Sequence, residues 1–195
     1  AKMEIVRRYF QAAVEARRSG SGQGYVERLE LLMNQAGVDV NYSPARSAAL
    51  LKEETTGRPA GAMVLPDGSV VTGKTSDLLG AASSLLMNAL KGVAGVDDAV
   101  DVISNEVIEP ICELKTSTLN SRNPRLHSDE TLLALSVTSA TDPLAKQLID
   151  HAGDLKGCDA FFSVIISSTD EKLYRTLGIN VCCEPKYEQR RYYHR

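Results

Sequence analysis

Three observations predict an α/β chain of the α+β kind. Helical periodicity fills residues 1–57, a hairpin signal interrupts it after Gly61, and two short apolar runs near the end have strand composition. The expected architecture is a helical N-terminal segment, 1–57, followed by a three-layer α/β segment, 58–195, with a small mixed sheet.

The elements follow in order. In KMEIVRRYFQAAVEARR, Ile5, Val6, Phe10, Ala13 and Val14 share one helical face, and Gly20-Ser21-Gly22 ends it. A second helix is predicted from about Gly24 to Gln35, with Gly37 as its C-terminal cap. Ser43-Pro44 opens a third, a cap followed by proline at the first helical position, which stops before Gly57. GAMVLPDGSVVTGKT then places two apolar runs around Pro66-Asp67-Gly68, a hairpin turn. Ser76 is expected to cap a long apolar helix, DLLGAASSLLMNALKGV. SNEVIEPICELKTSTL predicts a helix from a Ser104 cap, bent or broken near Pro110. Further helices start near Ser128 and Pro143. CDAFFSVIIS, 158–167, has the composition of a buried strand. Ser168 to Glu171 has the form of a capping box opening the next helix, and INVCCEP that of a last strand.

Composition excludes several function classes. The chain has 195 residues, 43% hydrophobic and 24% charged, enough to bury a real core. A net charge of -3 gives no global attraction for nucleic acid or anionic lipid, so neither nucleic acid nor membrane is an expected partner. No apolar run approaches a membrane span of ~20 residues. The four cysteines lack zinc spacing, which predicts buried, reduced thiols in a cytoplasmic protein. The chain opens at Ala1-Lys2-Met3-Glu4 directly into a helical pattern, which predicts part of a longer protein, its N-terminal domain being the first expected partner.

GSVVTGKT, 68–75, matches the pattern G-x-x-x-x-G-K-[ST] of phosphate-cradling loops. Such a loop needs backbone free to curl between its glycines. Here Val70-Val71 is β-branched and stiff, and the first glycine belongs to the Pro-Asp-Gly turn, so a hairpin is the better reading. Lys74 and Thr75 remain candidates for a small anion, because a strand-to-helix junction presents backbone N–H groups.

SRNPRLHSDE, 121–130, is the densest polar constellation. Arg122, Asn123 and Arg125 suit a carboxylate or phosphate, His127 titrates near neutrality, and Asp129 is the expected partner that orients it. His127 and Asp129 are thus the candidate catalytic pair; the alternative is a connector whose charges serve turn, cap and helix dipole. His127 and Glu130 share a helix face, but no second histidine stands near, so no metal site is expected. No G-x-S-x-G elbow is present. The basic, aromatic tail Lys186 and Arg190 to Arg195 suits docking to another domain or subunit.

RRYFQA, LPDGSVVTGKTSDLLGAASSLLMNALKGVAG, VIEPICELKTSTLNSRNPRLHSDETLLALS and LYRTLGINVCCEPKYEQRRYYH together resemble the C-terminal part of a bacterial family catalogued as domain of unknown function 1846. NPRLH-x-DE and LGIN…CEPKY are its most specific pieces, and the likeness spans essentially the whole chain. The resemblance implies a longer protein with a glycine-rich G-K loop in its N-terminal part. Some members carry the label ATP-dependent peptidase. The resemblance brings no catalytic residue and no cofactor. At the level of fold, hairpin then helix then alternating elements resembles the cytidine deaminase-like architecture. The H-x-E and P-C-x-x-C zinc ligands of deaminases are missing here, as in the zinc-free transformylase domains of purine synthesis.

The expected function is a C-terminal domain that supports homo-oligomerisation and forms one wall of an anion or nucleotide-type site. The alternatives are a transferase or hydrolase acting on a phosphorylated or nucleotide metabolite, and a pure assembly module. Lys74 and Arg125 in one polar pocket would favour the enzyme.

Overall fold

Glycine and proline punctuate the first fifty-seven residues as their spacing predicts. The computed structural model describes residues 1–189. Its first three helices are α1 (Lys2–Ser19), α2 (Gln23–Ala36) and α3 (Pro44–Thr56), closed by Gly20, Gly37 and Gly57 in left-handed conformation. The expected hairpin follows as β1 (Ala60–Val64) and β2 (Val70–Lys74), paired antiparallel from Ala60↔Lys74 to Val64↔Val70. Then come α4 (Ala81–Ala94), α5 (Asn105–Glu113), α6 (Ser128–Thr138), α7 (Pro143–Asp150), β3 (Asp159–Phe162), α8 (Ser168–Thr176) and β4 (Asn180–Cys183).

The four strands form one mixed sheet in the order β2-β1-β3-β4. β1 runs antiparallel to both neighbours, and β3 and β4 are parallel, joined through α8. Alternation splits the side chains cleanly. The row Ala62–Phe161–Cys182 packs with Val6 and Phe10 of α1 and with Ala45 and Ala49 of α3. The rows Met63–Ala160–Val181 and Phe162–Cys183 face α4, α6, α7 and α8. Phe10 meets Phe161 edge-to-face at 4.8 Å, and Phe162 meets Tyr174 at 5.4 Å. Burying each such ring contributes roughly 2–3 kcal/mol. Tyr174 is fully buried, and its hydroxyl donates to the Ala82 carbonyl at 2.7 Å.

Gly73 answers the question raised by GSVVTGKT. A Cβ there would lie 2.3 Å from the Leu85 nitrogen. The glycine lets α4 press directly on β2, and Gly68, at φ 85°, turns the hairpin.

Four expectations need correction. The helix after the hairpin begins at Ala81, not Ser76. The Ser76 hydroxyl accepts from the Leu78 and Leu79 amides, and Leu79 forms a parallel bridge with Leu126, which holds the chain out of helix until Gly80. The run 158–167 is strand only to Phe162. Ser163 still exchanges bonds with Ala60, but the residue before Ala60 is Pro59, which has no N–H to extend the ladder. α5 is not broken at Pro110; it passes through and widens into a π-turn, Leu114–Thr118, with the Leu119 amide donating to Leu114. The cap of α8 is Ser167, not Ser168, its hydroxyl accepting from the Asp170 amide at 3.1 Å.

Candidate functional site

The amino ends of three helices meet beside the end of β3. Gly80 caps α4, His127 caps α6 and Ser167 caps α8. Between them lies a cleft of about 80 Å³, lined by Thr75, Gly80, Asn123, Arg125, His127, Ser167, Asp170 and Glu188, among others. The Leu79–Leu126 bridge fixes its floor. The Leu126 amide donates to Leu78, and the Gly80 amide to Leu126. Crevices past the carboxyl ends of strands, where helices begin, are the usual ligand positions in α/β sheets.

Asp170, buried at the third position of α8, organises the cleft. Its Oδ1 accepts from the Ser128 amide at 2.8 Å and the Ser128 hydroxyl at 2.7 Å; its Oδ2 accepts from the Ser167 hydroxyl at 2.8 Å. His127 Nδ1 lies 3.3 Å from Oδ2. Burial pushes the Asp170 carboxyl up, but the hydrogen bonds from His127, Ser128 and Ser167 outweigh it and hold the group below its ordinary range. The reciprocal bond to Asp170 raises His127, against a smaller opposing effect of burial. His127 is thus biased toward imidazolium, and Nε2 is the nitrogen left for a ligand. Ser167 approaches the same nitrogen as Asp170, at 3.4 Å. A serine nucleophile would need the opposite ring nitrogen, so these three are not a hydrolase triad.

The predicted residues part company here. Thr75 is only 3% exposed and lines this cleft, its amide donating to the Pro59 carbonyl at 2.8 Å. Asn123 also lines it, Oδ1 accepting from the Arg125 amide at 3.1 Å. Arg125 is 8% exposed, its Nε donating to the Ser76 carbonyl at 2.7 Å. Arg122 is exposed and lines neither this cleft nor the next. Asp129 does not reach His127; its Oδ1 takes the Glu130 amide at 2.9 Å, and Asp170 is the carboxylate on the imidazole. Lys74 stands on the other side of the segment 75–80, in a separate cleft of about 380 Å³ with Lys52 and Lys91. Lys74 and Arg125 therefore do not share a pocket, yet Arg125 is buried rather than displayed on a convex surface.

Sequence reasoning missed Asp170, Ser128 and Lys115. The π-turn after α5 turns Lys115 inward, where its Nζ donates to Glu130 Oε2 at 2.7 Å and to the Arg125 carbonyl. Glu130 Oε2 also accepts the His127 amide at 2.9 Å, so this carboxylate serves a cap and a buried ammonium and not a metal. Among the described residues no three His, Cys, Asp or Glu side chains cluster as a metal site requires. All four cysteines are free and buried; burial pushes the Cys182 and Cys183 thiols up to about 12, which makes them inert as nucleophiles. Of the tail, Lys186 pairs with Glu53 at 2.8 Å and its carbonyl accepts the Ile165 amide; residues 190–195, with the arginines and tyrosines expected to dock a partner, lie outside the described residues.

A family profile described as "Domain of unknown function DUF1846, C-terminal" matches residues 41–193. The chain belongs to this family. Among curated relatives of the DUF1846 chain is a UPF0371 protein of Corynebacterium efficiens, 47% identical over 99% of this chain and 39% of the relative. Another, from Corynebacterium diphtheriae, is 46% identical over 98% of this chain and 39% of its own length. A UPF0371 protein of Streptococcus pneumoniae serotype 19F is 41% identical with the same coverages. The chain thus spans about two fifths of the length of these relatives, 39%. Among the described residues of this DUF1846 chain, no helix is long and apolar enough to cross a membrane.

Proposed function

We propose that this chain supplies one wall of a site for an anionic, nucleotide-type or phosphorylated small molecule, within a longer, self-associating cytoplasmic protein. The observation that carries the reading is the meeting of buried Arg125, imidazolium-biased His127 and buried Thr75 in one cleft at three helix amino ends. A volume of about 80 Å³ suits a single phosphate or carboxylate group, with the rest of the molecule held from outside this cleft. In this reading Arg125 and Asn123 orient the anion, His127 Nε2 donates to it, and Asp170 keeps the imidazole charged. A transferase or hydrolase would use the same His127 as its acid. The layout of hairpin, α4 and alternating later elements supports a cytidine deaminase-like fold without zinc ligands, since α4 carries no His, Cys or Glu. The free thiols suit a reducing compartment.

A purely assembling module is the second reading. Leu133 and Val137, 67% and 72% exposed one turn apart on α6, favour it.

A thermal-shift panel of inorganic phosphate, ATP, GMP and ribose 5-phosphate tests the leading reading. Binding to the native state alone adds ~2.7 kcal/mol at a hundredfold excess over Kd. A rise in Tm that disappears in Arg125→Ala and weakens in His127→Gln supports it. Equal rises in wild type and Arg125→Ala, or no rise with any compound, would sink it.

A further inference from the structure

The cleft on the far side of the segment 75–80 is larger, about 380 Å³, and is built differently. It lies along β2, the edge strand, between α3, α4 and the chain leading into α5. Lys52, Lys74 and Lys91 line it with Ser84 and Asn88; Asp98 and Asp101 stand at its border, and Met87, Val102 and Ile108 give an apolar floor.

Lys91 is the unusual member. It is 7% exposed, yet its ammonium makes one hydrogen bond among the described residues, to the Asp98 carbonyl at 3.0 Å, and no ion pair. An ammonium carries three donors, and burying one without a counter-charge is costly unless something else supplies it. Asn88 is anchored through its Nδ2 to the Thr72 carbonyl at 2.8 Å, which orients its amide at the cleft. Lys115 shows the contrast within the same chain: equally buried, it has a carboxylate and a carbonyl.

We propose that this cleft is a second ligand site, distinct from the one around His127, for a small phosphorylated hydroxy compound. The phosphate is the counter-charge of Lys91, with Lys52 and Lys74 closing on it from α3 and β2. Asp98 and Asp101 accept hydroxyl groups of the same molecule, which selects a phosphorylated polyol over a bare anion. The volume falls in the range of small-molecule pockets, about 300–1,000 Å³. Lys91 sits in the last turn of α4, the favourable end for a cation.

Titration calorimetry with glucose 6-phosphate, glucose and inorganic phosphate tests this on wild type, Lys91→Met, Lys52→Gln and Arg125→Ala. Glucose 6-phosphate is expected to bind more tightly than phosphate, and glucose not detectably at millimolar concentration. Lys91→Met, which keeps the buried stem, is expected to weaken binding at least about tenfold, an amount typical of one lost charge-assisted bond. Arg125→Ala is expected to weaken binding by much less than Lys91→Met, since Arg125 lines the other cleft and reaches this one only through the Ser76 carbonyl. Should Lys91→Met fail to fold, Lys52→Gln on the surface of α3 carries the test through a severalfold loss. No binding by wild type, or binding insensitive to both lysine variants, overturns the proposal. Binding lost in Arg125→Ala and kept in Lys91→Met also overturns it and assigns the ligand to the His127 cleft. Failure of the His127 site in its own thermal-shift panel would leave this result untouched.

Discussion

The cleft around His127 and the cleft beside β2 lie back to back across six residues, and they treat buried charge in opposite ways. Around His127 the charges answer one another. Asp170 accepts from Ser128 twice, from Ser167 and from His127, and Lys115 and Glu130 neutralise each other just behind. Beside β2, Lys91 has one carbonyl among the described residues. The first arrangement resembles structure that also presents a site; the second makes sense chiefly once something binds. A buried charge that is fully partnered is strongly destabilising to disrupt, whereas one left nearly alone contributes little to stability and is the easier to replace.

Urea denaturation can break that comparison outright. Asp170→Ala is expected to cost about 3–5 kcal/mol, because it strands buried donors on two helix ends, whereas Lys91→Met is expected to be neutral within about 1 kcal/mol or stabilising. Equal losses would mean that Lys91 is as structural as Asp170. Next in size is Gly73→Ala. A methyl 2.3 Å from the Leu85 nitrogen must push α4 off β2, at about 3 kcal/mol, with the clefts on both sides distorted. A thermal melt of that variant showing no loss would remove the close packing of α4 on β2 from the account.

A smaller effect is expected from pH. His127 is raised in the fold, so its stabilisation is complete below its unfolded value of about 6.5 and is lost as pH rises through the folded value. Asp170 is lowered, so its share is present above about 3.9 and is lost as pH falls through its folded value. Stability measured against pH should therefore decline as pH rises above about 6.5, and His127→Gln should flatten that limb alone. An unchanged limb would remove the His127–Asp170 pair from the account. The smallest effect concerns the exposed face of α6. Leu133→Ser with Val137→Ser should leave monomer stability within about 0.5 kcal/mol, yet lower the mass found by sedimentation if that face mediates association. An unchanged mass would end the assembly reading for α6.

How far the sequence reaches follows from the range of each interaction. α1, α2, α3 and α7 are set by local spacing, by glycines and prolines at their ends and by the Asp142 side chain that accepts the Leu144 amide, and α6 by the acids of its first turn, so their outlines are legible. The hairpin is legible because Pro66-Asp67-Gly68 is a turn within itself. The late start of α4 is not, since it depends on Leu126 reaching back to Leu79 across 46 intervening residues of chain. The same holds for the site. Arg125 and His127 stand out locally, but their partners Ser76 and Asp170 come from 49 and 43 residues away, and nothing local to Asp170 marks it as more than a helix-start acid. Lys115 is hidden for another reason: within the predicted helix SNEVIEPICELKTSTL it is one more polar residue, and the π-turn is what places it in the interior.

The parallel bridge between Leu79 and Leu126 has a last consequence, a thermodynamic one. The strip from Thr75 to Gly80 is a party wall: Thr75 and Gly80 face one cleft, Ser76 and Leu79 the other, and the bridge pins the strip to the loop bearing Arg125. An occupant that tightens the strip from one side changes the free energy of filling the other side, and reciprocity makes the two changes equal. Titrating one cleft with the other saturated would read that coupling directly, as a shift in Kd that must be the same in whichever order the two compounds are added.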